Sequence, residues 1–227
     1  MNEGLFWSSY NESISLIKQL GLFKDENVHQ YIPYSSTCAA YSRGTDYREL
    51  YQNFIDNRDY DILLSDDSLI QMSRVNGESR FVYIQNPQRI VSFESFLIDN
   101  GFDLTLESVS ELKGVFSDDY SQVLEGMPLN SGAVYFRYDE DSRGRKNNEN
   151  VHAFAHLHVG LNNDIRIPVS VHMIPQAFVA FVIRHVYYDV WTEAIRNSQI
   201  ALDYKERCPN LPEVLWTEVE KQDFYLG

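Results

Sequence analysis

The sequence predicts an α+β fold: a single domain over residues 1–227, mainly antiparallel sheet, with helices packed mostly on one side. Three observations carry this. Apolar residues recur three and four apart near both ends of the chain, short runs of strand-forming residues fill the middle, and turn signals divide those runs at hairpin distances. The helical N-terminal part spans about 1–58, the sheet core about 60–170 and a long C-terminal helix about 175–195.

Residues 9–20 place Ile14, Ile17 and Leu20 on one helical face, with Ser8 or Ser9 as cap and Gly21 as the stop. Residues 45–57 repeat the pattern: Thr45 caps, and Tyr47, Leu50, Tyr51 and Phe54 form the apolar stripe. The Ser/Tyr/Ala-rich segment from Tyr31 to Ser42 reads as extended or irregular. Strands follow at 61–65, 68–74 and 80–85, the last two flanking Asn76-Gly77, the commonest two-residue hairpin signal. A helix begins at Ser92 and ends near Asn100-Gly101, and Val109, Leu112, Phe116, Tyr120 and Leu124 mark another over 107–125. Strands are then expected at 133–139, 152–159 and 165–169, separated by a polar loop at 140–150 and a turn at Asn162-Asn163-Asp164. Pro175, suited to the first helical position, opens the most apolar helix, over 175–190 and extending toward Asn197.

Composition narrows the function. A formal charge of −14 argues against a protein that coats nucleic acid unaided, because phosphate affinity comes mostly from Lys and Arg. One compact basic loop, Arg143, Arg145 and Lys146, interrupts that acidity; it reads as a solvated loop first, and as a phosphate contact beside a site in the sharper alternative. No stretch approaches ~18 uninterrupted apolar residues, so no membrane span is expected. The N-terminal residues lack a basic, then apolar, secretory pattern. Cys38 and Cys208 read first as free thiols, with a disulfide between them as the alternative, and the expected location is the cytoplasm.

The chemistry concentrates in two strands. Five of the six histidines fall between His152 and His185, and His152, His156 and His158 share a face if that segment is extended. Arg137 and Asp139 share a face of the preceding strand, and Arg166 arrives on the next one. If the strands pair with polar faces aligned, one wall carries a carboxylate, imidazoles and guanidiniums, the inventory of phosphoester chemistry. In one mechanism His156, His158 and Asp139 bind a divalent metal that activates water while an arginine stabilises developing charge. In the other, one histidine is general base and another general acid, with no metal. The same residues also fit a buried polar network that stiffens the sheet, or a structural metal site. His172 stands near the entry of the Pro175 helix, within reach of the site, and His185 reads as a core histidine. Gly-rich phosphate loops, zinc-ribbon cysteine pairs and Gly-x-Ser-x-Gly are missing from the sequence. Gly160 stands where a histidine-triad hydrolase needs its third histidine.

The stretch His156-Leu-His158-Val-Gly160, with Arg166-Ile-Pro168 and the segment Ile174-Pro175-Gln-Ala-Phe178 to Arg184, resembles an uncharacterised bacterial family, domain of unknown function 2290. Arg137-Tyr138-Asp139 and Asp67-Ser-Leu-Ile-Gln-Met72 resemble two further features of that family. Where its pattern places a proline near the first histidine, this chain has His152-Ala153-Phe154, so the resemblance supports His156 and His158 rather than His152. The resemblance implies a bacterial cytosolic protein of similar fold. An Arg-Tyr-Asp strand before a His-x-His strand is also similar to small toxin-like proteins of toxin–antitoxin and phage-defence loci, which implies a nuclease role. The leading expectation is therefore a phosphodiesterase or nuclease of a bacterial defence or toxin system, using His156, His158, Asp139, Arg137 and Arg166. Its expected partners are a nucleic acid or nucleotide substrate, an ATPase or antitoxin encoded nearby, and further copies of itself. The alternatives are an acidic, non-enzymatic subunit that regulates a basic or nucleic-acid-processing partner, and a metal-stabilised module for a nucleotide-like small molecule.

Overall fold

The computed structural model describes residues 1–27, 46–88, 93–104, 108–126, 133–142, 152–161, 165–197, 204–222 and 225–226. In chain order its elements are α1 (Glu3–Gln19), β1 (Phe23–Glu26), α2 (Tyr47–Asp56), β2 (Ile62–Leu64), β3 (Leu69–Val75), β4 (Glu78–Ile84), α3 (Phe93–Asp99), α4 (Val109–Gly126), β5 (Tyr135–Glu140), β6 (Ala155–Val159), β7 (Ile165–Pro168), α5 (Pro175–Val186), α6 (Tyr188–Arg196) and α7 (Glu218–Lys221). They fall into two compact units, Met1–Gln85 with Val134–Gly227, and Asn86–Ala133. In the second, α3 and α4 pack through Phe93, Phe96 and Leu97 against Phe116 and Tyr120.

The first unit holds a seven-stranded antiparallel sheet in the order β1-β2-β3-β4-β5-β6-β7, so every strand pairs with its sequence neighbour. The fold is α+β, as the sequence predicts. Alternation along the strands gives the sheet two unlike faces. Ile70, Met72, Phe81, Tyr83, Phe136, Tyr138, Ala155 and Leu157 point to one face, where they are buried with Phe6, Tyr10 and Ile17 of α1 and Phe178 and Val182 of α5. On the other face Leu69, Val82, Ile84 and Tyr135 pack against Leu50 and Phe54 of α2. Beyond that patch the second face turns polar.

Several local expectations are corrected. Helix α1 starts at Glu3, not near Ser8 or Ser9, because Asn2 caps it: its Oδ1 accepts from the Leu5 N–H at 2.8 Å. Ser9 and Ser13 lie inside the helix, where Ser13 donates to the Ser9 carbonyl at 2.7 Å and Ser9 Oγ accepts from the Gln176 N–H at 2.9 Å. Asp46 caps α2 by accepting from the Arg48 N–H; Thr45 lies outside the described residues, as do Tyr31–Ser42, Cys38, His29 and the turn at Asn162–Asp164. Strand β1 was not anticipated, since Phe23-Lys-Asp-Glu26 shows no apolar alternation; it is an edge strand whose charges reach Arg58, Asp67 and Lys18. The long C-terminal helix is two helices, broken at Tyr187 (φ −110°, ψ 52°). The Tyr187 hydroxyl donates to Asp66 Oδ2 at 2.9 Å and stands 3.1 Å from the Tyr83 hydroxyl, while the new direction keeps Trp191 and Ala194 in the core.

The β3–β4 hairpin behaves as its sequence predicts. Val75 pairs with Glu78, and both Asn76 (φ 54°) and Gly77 (φ 86°) adopt the left-handed conformation of a type I′ turn. A Cβ on Gly77 would meet nothing closer than Arg74 Nη2 at 3.9 Å, so only backbone preference opposes it. Gly77→Ala is expected to cost about 1–2 kcal/mol. The loss should appear as a lower urea midpoint with an unchanged slope.

Candidate functional site

Strand β5, Tyr135-Phe-Arg-Tyr-Asp-Glu140, alternates strictly: Phe136, Tyr138 and Glu140 face the helical core, leaving Arg137 and Asp139 on the polar face. Strand β6 does the same with Leu157 inward and His156 and His158 outward. Antiparallel register aligns these residues in two rows. Arg80, Asp139, His156 and Pro168 are successive cross-strand neighbours, and beside them run Val82, Arg137, His158 and Arg166. The charged and imidazole members of both rows line a cleft of about 480 Å³ whose wall also includes His152, Val75, Asn76 and Glu78.

The expected set of Arg137, Asp139, His156, His158 and Arg166 is therefore brought together. The site is anchored by Asp139. Arg137 Nε donates to its Oδ2 at 2.6 Å, and Arg80 Nε forms an ion pair with Oδ1 at 3.1 Å without the alignment of a hydrogen bond. His158 Nε2 lies 3.4 Å from Oδ2, again close without being aligned. Arg137 is buried and Asp139 half-buried, whereas Arg166 is exposed at the rim. The histidine rings follow in file: His152 to His156 at 4.7 Å between centroids, and His156 to His158 at 4.6 Å.

Burial alone would push the Asp139 carboxyl up, but His158, Arg80 and Arg137 outweigh it and hold the group well below the ordinary carboxylate range. Burial, with the neighbouring His158 ring, pulls His156 down to about 4. Burial also lowers His158 against the attraction of Asp139. At neutral pH the site thus combines an anionic Asp139 with a neutral His156. The His156 Nδ1 is 3.0 Å from the Ala153 carbonyl, which can only accept, so Nδ1 carries the proton and Nε2 keeps a free lone pair. Such a group can take a proton, ligate a metal or accept from a substrate.

Burial of His156 and His158 could suggest packing against the α5 core, but Phe178 and Phe181 lie against Phe81 and Phe136 on the opposite face. His152 is not on a strand, which begins only at Ala155, yet its ring reaches the site. His172 stands on the core side instead. It pairs with Glu140 at 2.7 Å in a buried network where Tyr138 donates to the same carboxylate at 3.0 Å and the Ser79 N–H donates at 2.8 Å. His185 is exposed and tilted over Phe181, not a core histidine. Arg143, Arg145 and Lys146 lie outside the described residues. Sequence reading missed Arg80: it is in phase with Val82 and Ile84, but the long insertion between β4 and β5 hid their pairing.

A family model described as "Uncharacterized conserved protein (DUF2290)" matches residues 22–225, which include all seven strands and every site residue named above. The chain belongs to the DUF2290 family. No match is found among curated proteins or solved structures. Among the described residues of this DUF2290 member, no helix is long and apolar enough to cross a membrane.

Proposed function

We propose that the cleft binds and hydrolyses a phosphoester, with a nucleic acid or nucleotide phosphodiester as the substrate class. The supporting observation is the arrangement of the two rows. Arg137, His158 and Arg166 stand beside Arg80, Asp139 and His156 on one cleft wall. Guanidinium forks suit phosphoryl oxygens, and their charge answers the negative charge that grows in the transition state. Arg166 and Arg80, the more exposed pair, are the contacts for substrate; Arg137 is held by Asp139 and forms the floor. Water attacks phosphorus, the ester P–O bond breaks, and the proton passes from water through a neutral imidazole to the leaving oxygen.

The test is release of p-nitrophenol from bis-p-nitrophenyl phosphate, with cleavage of single-stranded DNA and RNA oligonucleotides in parallel. Arg166→Ala is expected to lower kcat/KM about tenfold, roughly 1.4 kcal/mol of transition-state binding, without changing the melting temperature. Turnover of none of these substrates would overturn the reading. The formal charge of −14 would then favour the second one, an acidic subunit that binds a basic partner.

A further inference from the structure

We propose that Asp139, His156 and His158 bind one divalent transition-metal ion, for which Zn²⁺ is the probe. Among the described residues they are a group of potential ligands whose donor atoms lie within 4.8 Å of one another. Two ligands of a tetrahedral zinc at bonds of about 2.0–2.1 Å stand about 3.3 Å apart, so modest ring rotation closes the set.

Three independent features favour a metal over a purely structural polar network. First, among the described residues no group hydrogen-bonds either ring nitrogen of His158, although the residue is only 1% exposed. A satisfied network would not leave such a ring unpaired, whereas metal coordination uses the lone pair. Second, His156 is already fixed in the ligating tautomer, since Nδ1–H donates to the Ala153 carbonyl and Nε2 carries the lone pair. A backbone carbonyl on the far nitrogen is the usual outer partner of a metal-bound imidazole. Third, Asp139 is kept anionic by Arg80 and Arg137; Arg137 fills one of the roughly four acceptor positions of its carboxylate, while Arg80 stands beside Oδ1 as an ion pair. Those guanidiniums also oppose a further cation, and neutral imidazoles add no charge of their own. Imidazole nitrogen with one carboxylate oxygen is a donor set that suits zinc.

Three protein ligands leave a fourth position facing the cleft, the pattern of a catalytic rather than a structural zinc. In that respect the inference rests on the hydrolase reading: the open position is where water would lose its proton, and the metal would take over the activation of water from His156 and His158, whose lone pairs it uses.

The full-length chain, stripped with chelator and dialysed against ZnCl₂, is expected to retain one zinc per chain by elemental analysis. Co²⁺ in its place should give the visible absorption of a low-coordinate nitrogen–oxygen site. His156→Gln and His158→Gln should each weaken zinc binding by more than about tenfold, while His185→Gln should leave it unchanged. Folded wild-type chain that retains no zinc overturns the proposal, as does full retention by both folded variants. If either variant fails to fold, ring ¹⁵N shifts of the wild type decide. Zinc should move His156 and His158 but not His172 or His185, and movement of the latter pair alone overturns the assignment. Phosphodiester turnover by a chain that binds no zinc would remove the metal and keep the hydrolase. Zinc binding at these ligands without turnover would do the reverse.

Discussion

Asp139→Ala is expected to lower the unfolding free energy by about 3–5 kcal/mol, because it strands buried positive charge. Arg137 is only 7% exposed, and its Nε has Asp139 Oδ2 as acceptor at 2.6 Å; Arg80 loses its ion-pair partner in the same step. Neither guanidinium can shed its proton to escape the low-dielectric wall. Asp139→Asn keeps one acceptor oxygen and is expected to lose distinctly less. Urea unfolding followed by tryptophan fluorescence at pH 7.5 measures both. A loss under about 1 kcal/mol for the alanine variant would mean that water reaches the pair freely. The folded carboxyl is depressed, so its contribution is complete above the unfolded value near 3.9 and is lost as pH falls below it.

The second large effect lies at higher pH and comes from His156. Its folded value of about 4 is below the roughly 6.5 of an unfolded histidine. Above pH ~6.5 the ring is neutral in both states and stability is unaffected. As pH falls below that, the unfolded chain takes a proton that the native site refuses. Stability should therefore drop by roughly 3 kcal/mol before the folded group also titrates. The lowered His158 pushes in the same direction. Urea midpoints at pH 7.5, 5.5 and 4.5 trace the slope, and His156→Gln should flatten it. An equally steep slope in that variant would assign the acid sensitivity elsewhere.

Most of the site was legible because a strand has a strict period of two. Once Arg137 and Asp139 were placed on one face of a strand, and His156 and His158 on one face of the next, antiparallel pairing could only bring the two sets together or bury both apart. The register, Arg137 opposite His158 and Asp139 opposite His156, is what spacing alone does not fix. Arg80 escaped because the strand it sits on was read as the end of a hairpin, with no sign that its other edge would meet β5. His172 misled for a different reason. Nearness in sequence to a helix entry says nothing of which sheet face a loop residue meets, and the buried carboxylate of Glu140 captures it on the core side. The helix boundaries shifted where polar residues had two uses. Ser9 has the chemistry of a cap but serves as an acceptor between helices, leaving the capping role to Asn2.

The β4–β5 junction carries a consequence for how the chain tolerates change. The Gln85 N–H donates to the Val134 carbonyl at 3.0 Å, Gln85 Oε1 accepts from the Val134 N–H at 2.9 Å, and the Tyr47 hydroxyl of α2, with one proton to share between them, lies 2.8 Å from the Gln85 carbonyl and 2.9 Å from that of Val134. The strands are thus fastened where the insertion Asn86–Ala133 departs and returns. Since doubling a loop adds only about 0.6 kcal/mol of closure entropy, such a clasp makes the register of β4 and β5 indifferent to what the loop holds. The junction is a cloning site made by the fold itself, at which segments can be exchanged while Arg80 and Asp139 stay in step.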